Sequence, residues 1–230
     1  LSNIIRKVSL QNESQLRVNR LDSAPRDVDV LNEFLREINK RRKALQNYDQ
    51  FKDDLDIGGG EYNLVQGDSR ELSSELGLSD NSVSYALTSP PYATGLPYID
   101  MWRLSIFLLD LMDKNDRRDF EWKMVGNREI NKGQREKLEE EFLNGDNRLP
   151  DSVVEIIDEV YQRNLEADVG FRRRNKASLI YKYFRDMNRI FDETLNLLEP
   201  GGRFTFVVGN HTTKAGEKQV NIFNDELLLD

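Results

Sequence analysis

The pentapeptide Thr88-Ser89-Pro90-Pro91-Tyr92 sets a hydroxyl, a proline carbonyl and an aromatic ring side by side. The preceding run, Val83–Leu87, has the length and composition of a buried strand, and two consecutive prolines forbid both helix and ladder continuation beyond it. The strand therefore ends in a rigid, extended lip. In open α/β sheets the carboxyl ends of strands are where ligands bind. An exocyclic amino group on a nucleobase is a poor nucleophile, because its lone pair is delocalised into the ring. Two acceptors, the Ser89 hydroxyl and the Pro90 carbonyl, would hold both amino hydrogens and turn that lone pair toward an electrophile. Tyr92 would stack on the base face, as proteins do with a base taken out of its helix. The same residues also suit a plainer role, a Pro-Pro turn closing a strand over a packed tyrosine.

This lip resembles the catalytic motif of the amino-methylating DNA methyltransferases, in which Asp, Asn or Ser precedes Pro-Pro and an aromatic residue. The Ser version is typical of members that methylate the 4-amino group of cytosine. Three further stretches, Asn63–Leu72, Tyr98–Leu104 and Leu198–Gly209, fit the same family in the same order. The resemblance implies an α/β, Rossmann-like, S-adenosylmethionine-dependent fold, here partial, with a helical insertion. It implies catalytic roles for Ser89, Pro90, Pro91 and Tyr92, and cofactor contacts at Asp68, Ser69 and Thr88. Asp68 would end the strand whose terminal acid meets the adenine of S-adenosylmethionine; capping of the following helix is the plainer and compatible reading. The implied partner is DNA with the target base flipped from the duplex. The alternatives are methylation of the adenine 6-amino group in DNA or of an RNA base, and a non-catalytic nucleic-acid-binding or specificity subunit.

Composition narrows these choices. The 230 residues allow one large domain with a real core, or a domain with a small appendage. With 33 Lys and Arg against 41 Asp and Glu, the net charge of -8 argues against a bulk electrostatic grip on nucleic acid. Binding must then come from local patches. Zero cysteines exclude disulfides, thiolate metal sites and a thiol nucleophile, and with them methylation of the cytosine ring carbon by cysteine attack. The proposed chemistry requires no metal. No stretch approaches membrane-spanning length and no basic-then-apolar leader opens the chain, so a soluble, cytoplasmic protein with no membrane partner is expected. Both ends, at Leu1 and at Leu227–Asp230, look cut.

Around the lip, the pattern predicts a short helix over Asn3–Ser9 and an amphipathic helix over Asp27–Phe51. The Lys40–Lys43 cluster on the latter reads as a solvated face. Gly58, Gly59 and Gly60 invite a cofactor-loop reading, but only Glu61 and Tyr62 separate them from the next strand, leaving no room for a βαβ unit. They read as a linker, so residues 1–60 form a helical lead-in. Asn63–Gly67 reads as a strand, Glu71–Leu78 as a short helix, and Ile99–Met112 as a buried helix against the sheet, with Asp100 and Arg103 satisfied in ion pairs. Residues 113–176 form a charged helical insertion, with helices over Gln134–Leu143 and Ser152–Ala167, and are the natural candidate for target recognition.

Within that insertion Gly126–Glu129 and Gly170–Asn175 stand out. Phe171 with Arg172, Arg173 and Arg174 suits phosphate contact and a bidentate guanine read, or else service to carboxylates within the fold. Ala177–Leu198 reads as one amphipathic helix stopped by Pro200, Gly201 and Gly202, and Arg203–Gly209 as a central parallel strand. Residues 61–112 and 177–230 then make the catalytic core. His211, just past that strand, reads as a surface residue. The glycine-rich cofactor loop and the ribose-binding acid are absent, and the family order puts them upstream of Leu1. An upstream segment or a second polypeptide would supply them, and the chain by itself is expected to bind S-adenosylmethionine weakly or not at all.

Overall fold

The computed structural model describes residues 4–5, 28–56, 58, 60–93, 98–113, 115–145 and 148–229. Ile4 and Ile5 are helical, and the rest of the helix expected over Asn3–Ser9 lies outside the described residues. The chain divides into two compact units, Leu1–Leu64 with Pro97–Arg117, and Val65–Leu96 with Arg118–Asp230. This divide departs from the sequence reading. The segment expected as a separate insertion shares one core with the strands, and the segment after the lip falls with the lead-in helix.

In the first unit, α1 (Val30–Asp54) begins where the Asp29 carboxylate accepts the Asn32 amide at 3.0 Å. None of its residues is buried, and Lys40–Lys43 are exposed, as a solvated charge run should be. Gly58 and Gly60 have open space where a side chain would stand, as the linker reading expects; Ile57 and Gly59 lie outside the described residues. The helix after the lip is α3 (Tyr98–Leu108). It buries Ile99 and Ser105 but exposes Trp102, Phe107 and Leu108, so the expectation of a buried helix is corrected. Its Asp100 pairs with Arg117 at 3.5 Å rather than with Arg103.

The second unit opens at Val65. Asn63–Gly67, expected as a strand, forms no ladder, because no described strand lies beside it to take its amides and carbonyls. A 3-10 turn over Ser69–Glu71 and α2 (Leu72–Leu76) follow, and Gly77 ends that helix in the left-handed conformation, φ 61°. The Ser73 amide, at the amino end of α2, donates to the Glu193 carboxylate at 2.9 Å.

β1 (Val83–Thr88) then pairs in parallel with β2 (Leu198–Phe206), in the register Tyr85 to Arg203 through Thr88 to Phe206. Among the described residues this parallel sheet has two strands, so β2 is not central. Between the Val83–Leu198 and Tyr85–Arg203 pairs the register shifts, and Gly201 there has φ 86°. A Cβ on Gly202 would meet the Glu199 carbonyl at 2.9 Å and the Val83 carbonyl at 3.2 Å. Pro200, Gly201 and Gly202 therefore build a bulge inside the strand instead of stopping the helix before it. Phe204 and Phe206 pack on Phe191 at ring separations of 5.4 and 5.5 Å, while Tyr85, Leu87 and Val207 on the opposite face stay exposed.

The helices of this unit are α4 (Arg117–Lys123), α5 (Lys132–Leu143), α6 (Asp151–Glu166) and α7 (Phe171–Leu197). α5 starts in a reciprocal capping box between Asn131 and Gln134. α6 puts Val153, Ile157 and Val160 on one face against α7. α7 is the spine of the core, burying Leu179, Ile180, Tyr183, Phe184, Met187 and Ile190. It begins six residues earlier than periodicity predicts, because Arg and Lys are good helix formers and Gly170 serves as its amino cap. The antiparallel hairpin β3 (His211–Ala215) and β4 (Lys218–Ile222) and the short α8 (Asn224–Leu227) close the unit. Buried Asn164 ties hairpin to helices, donating to the Arg173 carbonyl at 2.9 Å and accepting the Gly216 amide at 2.9 Å.

Candidate active site

The lip leaves β1 at its carboxyl end, as the sequence predicts. The Thr88 carbonyl accepts the Val207 amide at 3.0 Å, extending the ladder by one step. The exposed Ser89 hydroxyl donates to the Val207 carbonyl at 3.0 Å. With its proton committed there, the Ser89 oxygen is left as an acceptor for any further partner. Pro90 and Ala93 are buried, and Pro91 and Tyr92 are half-buried.

Two glycines let neighbouring backbone close around this lip. A Cβ on Gly209 would lie 2.8 Å from the Tyr92 Oη and 2.9 Å from Cζ, so the phenol end rests on the connection after β2. A Cβ on Gly126, whose φ is 73°, would lie 2.9 Å from the Tyr92 carbonyl oxygen and 3.0 Å from the Pro91 Cβ. Neither position has space for a side chain, and Gly126 is also in a conformation that others rarely adopt.

Asp68 does cap the turn that follows it, accepting the Arg70 amide at 3.0 Å. Arg70 also grips both carboxylate oxygens, with Nε at 2.9 Å and a terminal nitrogen at 2.6 Å. These bonds hold the Asp68 carboxyl down to about 2 against the opposing effect of burial. Arg70 then bridges to the Lys123 carbonyl at 2.8 Å and to Asp186 at 3.1 Å. Asp186 in turn meets Lys182 at 2.7 Å, and Lys182 donates to the Met124 carbonyl at 2.8 Å. This chain fastens Asp68 to the segment Lys123–Gly126, whose last residue packs on the lip. Ser69 is exposed at the turn, and Thr88 is half-buried at the end of β1.

The three arginines do not converge on the lip. Arg172 pairs with Glu129 at 3.3 Å, Arg173 donates to the Gly216 carbonyl at 3.4 Å, and Arg174 binds Asp168 and, at 2.9 Å, the Val169 carbonyl. They occupy the first turn of α7, where cations oppose the helix dipole, and their carboxylate and carbonyl partners offset that. Of the two readings of this run, service to the fold is the one these bonds support.

Other residues do border the lip. Asn224 is fully buried and donates to the Gly209 carbonyl at 2.8 Å, which fixes its amide orientation. The same nitrogen lies 3.1 Å from His211 Nδ1, making that atom the acceptor and putting the ring proton on Nε2. His211 is half-buried rather than a surface residue, and burial first, then Lys176, push its imidazole below the usual histidine range. Lys176, also half-buried, is lowered by burial and then by Arg128. The sequence singled out the stretches holding Arg128 and Gly209, but not Lys176 or Asn224. The available signal for Lys176 was its place between the basic run Arg172–Arg174 and the small and apolar residues Ala177–Ile180.

Among the described residues no helix is long and apolar enough to cross a membrane, and no group of three or more His, Asp or Glu is placed to hold a metal ion. Comparison of the chain with family models, curated proteins and solved structures gives no match.

Proposed function

We propose that this chain carries the target-amine half of an S-adenosylmethionine-dependent methyltransferase acting on an exocyclic amino group of a nucleic-acid base, the 4-amino group of cytosine in DNA. The observation that carries the reading is the Ser89 hydroxyl at the carboxyl end of a parallel strand. Its proton is given to Val207, so its oxygen is available to an amine.

In this reading Ser89 and the Pro90 carbonyl accept the two amino hydrogens of an extruded base, and the face of Tyr92 supports the ring. Gly126 and Gly209 keep Tyr92 in place by admitting backbone on either side. S-adenosylmethionine, when bound, supplies the electrophilic methyl group. Held in line, the amine needs no strong base beforehand, and approach geometry supplies much of the rate. For the cofactor, the described residues fit in part. Asp68, ionised and held by Arg70, is a fixed acceptor for an adenine amine. Among the described residues no strand directly precedes Gly58 or Gly60 in the chain, as a strand-to-helix cofactor loop for the amino-acid end would require.

The test is expression of the encoding gene, together with its upstream segment and any neighbouring gene that supplies the cofactor loop, in a host with no base methylation of its own, followed by mass spectrometry of nucleosides from its DNA and RNA. The expected product is 4-methylcytosine in DNA. Adenine methylated at its 6-amino group, or a methylated RNA base, would move the reading to those targets. No methylated nucleoside would refute it.

A further inference from the structure

α1 is a 25-residue helix with no buried residue. Helices in proteins draw most of their stability from an apolar face packed against another element, and propensity alone leaves even a helix of this length marginal in water. The apolar residues of α1 and its carboxyl cap are not scattered. Leu31, Ile38 and Leu45 stand one heptad apart in a first column, and Phe34, Tyr48 and Leu55 belong to a second column three residues further on. Arg41 fills the remaining place in the second column and Lys52 the next place in the first. Two such columns, repeating every 3.5 residues on average, are the seam of a coiled coil. The six apolar residues are 37 to 66 % exposed, so the seam is open in one copy of the chain.

The two cations in the seam decide the direction of a partner helix. In a parallel pair of identical helices each column faces itself, so Arg41 would meet Arg41 and Lys52 would meet Lys52, like charge on like. In an antiparallel pair each column faces the other. Leu31 then meets Tyr48 of the second copy, Phe34 meets Leu45, and Ile38 meets Arg41, whose aliphatic stem covers it while the guanidinium reaches water. Lys52 falls beyond the overlap. Beside the seam, the same register brings exposed Val30 to exposed Phe51 of the second copy, and exposed Leu35 to the stem of Arg42. Every one of these contacts occurs twice, in converse, which is the self-complementarity that a two-fold dimer requires.

We infer that the exposed seam of α1 is a dimerisation surface, occupied by α1 of a second copy of this chain running antiparallel, with Leu31 over Tyr48 and Phe34 over Leu45. Nothing in it depends on the lip or on base methylation.

Sedimentation equilibrium of the 230-residue chain should give the mass of two chains. Leu45→Glu sets a carboxylate against Phe34 in both halves of the seam, and should raise the dissociation constant of the dimer by about 100-fold or more. Lys43→Glu, on the far side of the helix, should leave the mass unchanged. Near-UV circular dichroism of each variant checks that the rest of the chain stays folded. The chain has no cysteine, so introduced thiols report direction without background. Mixed under oxidising conditions, Leu31→Cys and Tyr48→Cys chains should cross-link to each other, while Leu31→Cys alone should not link to itself. The mass of one chain for the unaltered protein, even at high micromolar concentration, would overturn the inference and leave the seam to a helix of another protein. A dimer undisturbed by Leu45→Glu would also overturn it, by placing the interface elsewhere, as would a Leu31→Cys self-link, by making the helices parallel.

Discussion

Two stretches of α7 hold buried cations in opposite ways. In the middle of the helix, Lys182 is 2 % exposed and Asp186 1 %, and every charge is answered: Asp186 receives Lys182, Arg70 and Arg185 at 2.7, 3.1 and 3.2 Å. Near the start, half-buried Lys176 forms no ion pair among the described residues, and burial, then Arg128, push its ammonium below the usual lysine range. The first arrangement locks elements together, binding the turn after Asp68 and the segment before Gly126 to the spine. The second gives Lys176 no carboxylate of that kind among the described residues. The difference lies in the partners each lysine finds, not only in its burial.

The largest expected effect breaks the matched stretch. Asp186→Ala strands Lys182 and Arg70 with no common carboxylate, and should cost about 3–5 kcal/mol in chemical denaturation. Replacing Lys182 and Asp186 together by Met and Leu should recover much of that loss. A small effect of Asp186→Ala would mean that the network is solvated and the contrast is false.

Next comes the ring around the lip. Gly126→Ala places a Cβ against the Tyr92 carbonyl at a backbone φ of 73°. It should cost about 1–3 kcal/mol in the same measurement. Were the variant as stable as the parent, the close approach would carry no constraint on Tyr92.

The smallest effect sharpens the unmatched stretch. His211 is the single histidine, so one proton resonance reports it. Burial and Lys176 should make it titrate below the ordinary value of 6.5, and Lys176→Gln should move the titration upward. The sign also fixes a stability trend. Below 6.5 the unfolded chain takes up the proton before the folded chain does, so this group's contribution is lost as pH falls through that window. An unmoved titration in Lys176→Gln would separate the two residues.

Much of this was legible locally. The lip follows from two prolines after an apolar run, and the cap at Asp68 from its place before Ser69 and Glu71. The long helices follow from apolar spacing. What depends on distant partners was not legible. Asn63–Gly67 has strand-like residues but no neighbouring strand, and Pro200–Gly202 resembles a stop until Val83 is seen to lie against Gly202. Arg172–Arg174 resemble a nucleic-acid patch until Glu129, Gly216 and Asp168 are found beside them. His211 meets Asn224 only because the hairpin and the short helix after it fold together.

The central claim is that Ser89 acts as an acceptor for the target amine. Single-turnover transfer of a tritiated methyl group to duplex DNA, compared between Ser89, Ser89→Ala and Ser89→Asn in the active protein, addresses it directly. The hydroxyl is exposed, so neither variant should alter the melting temperature appreciably. The account predicts that Ala lowers the rate by a factor of ~10 to 1000, as when one transition-state hydrogen bond is lost, and that Asn, which offers an acceptor oxygen, retains more. A rate in Ser89→Ala equal to that of the parent would contradict it.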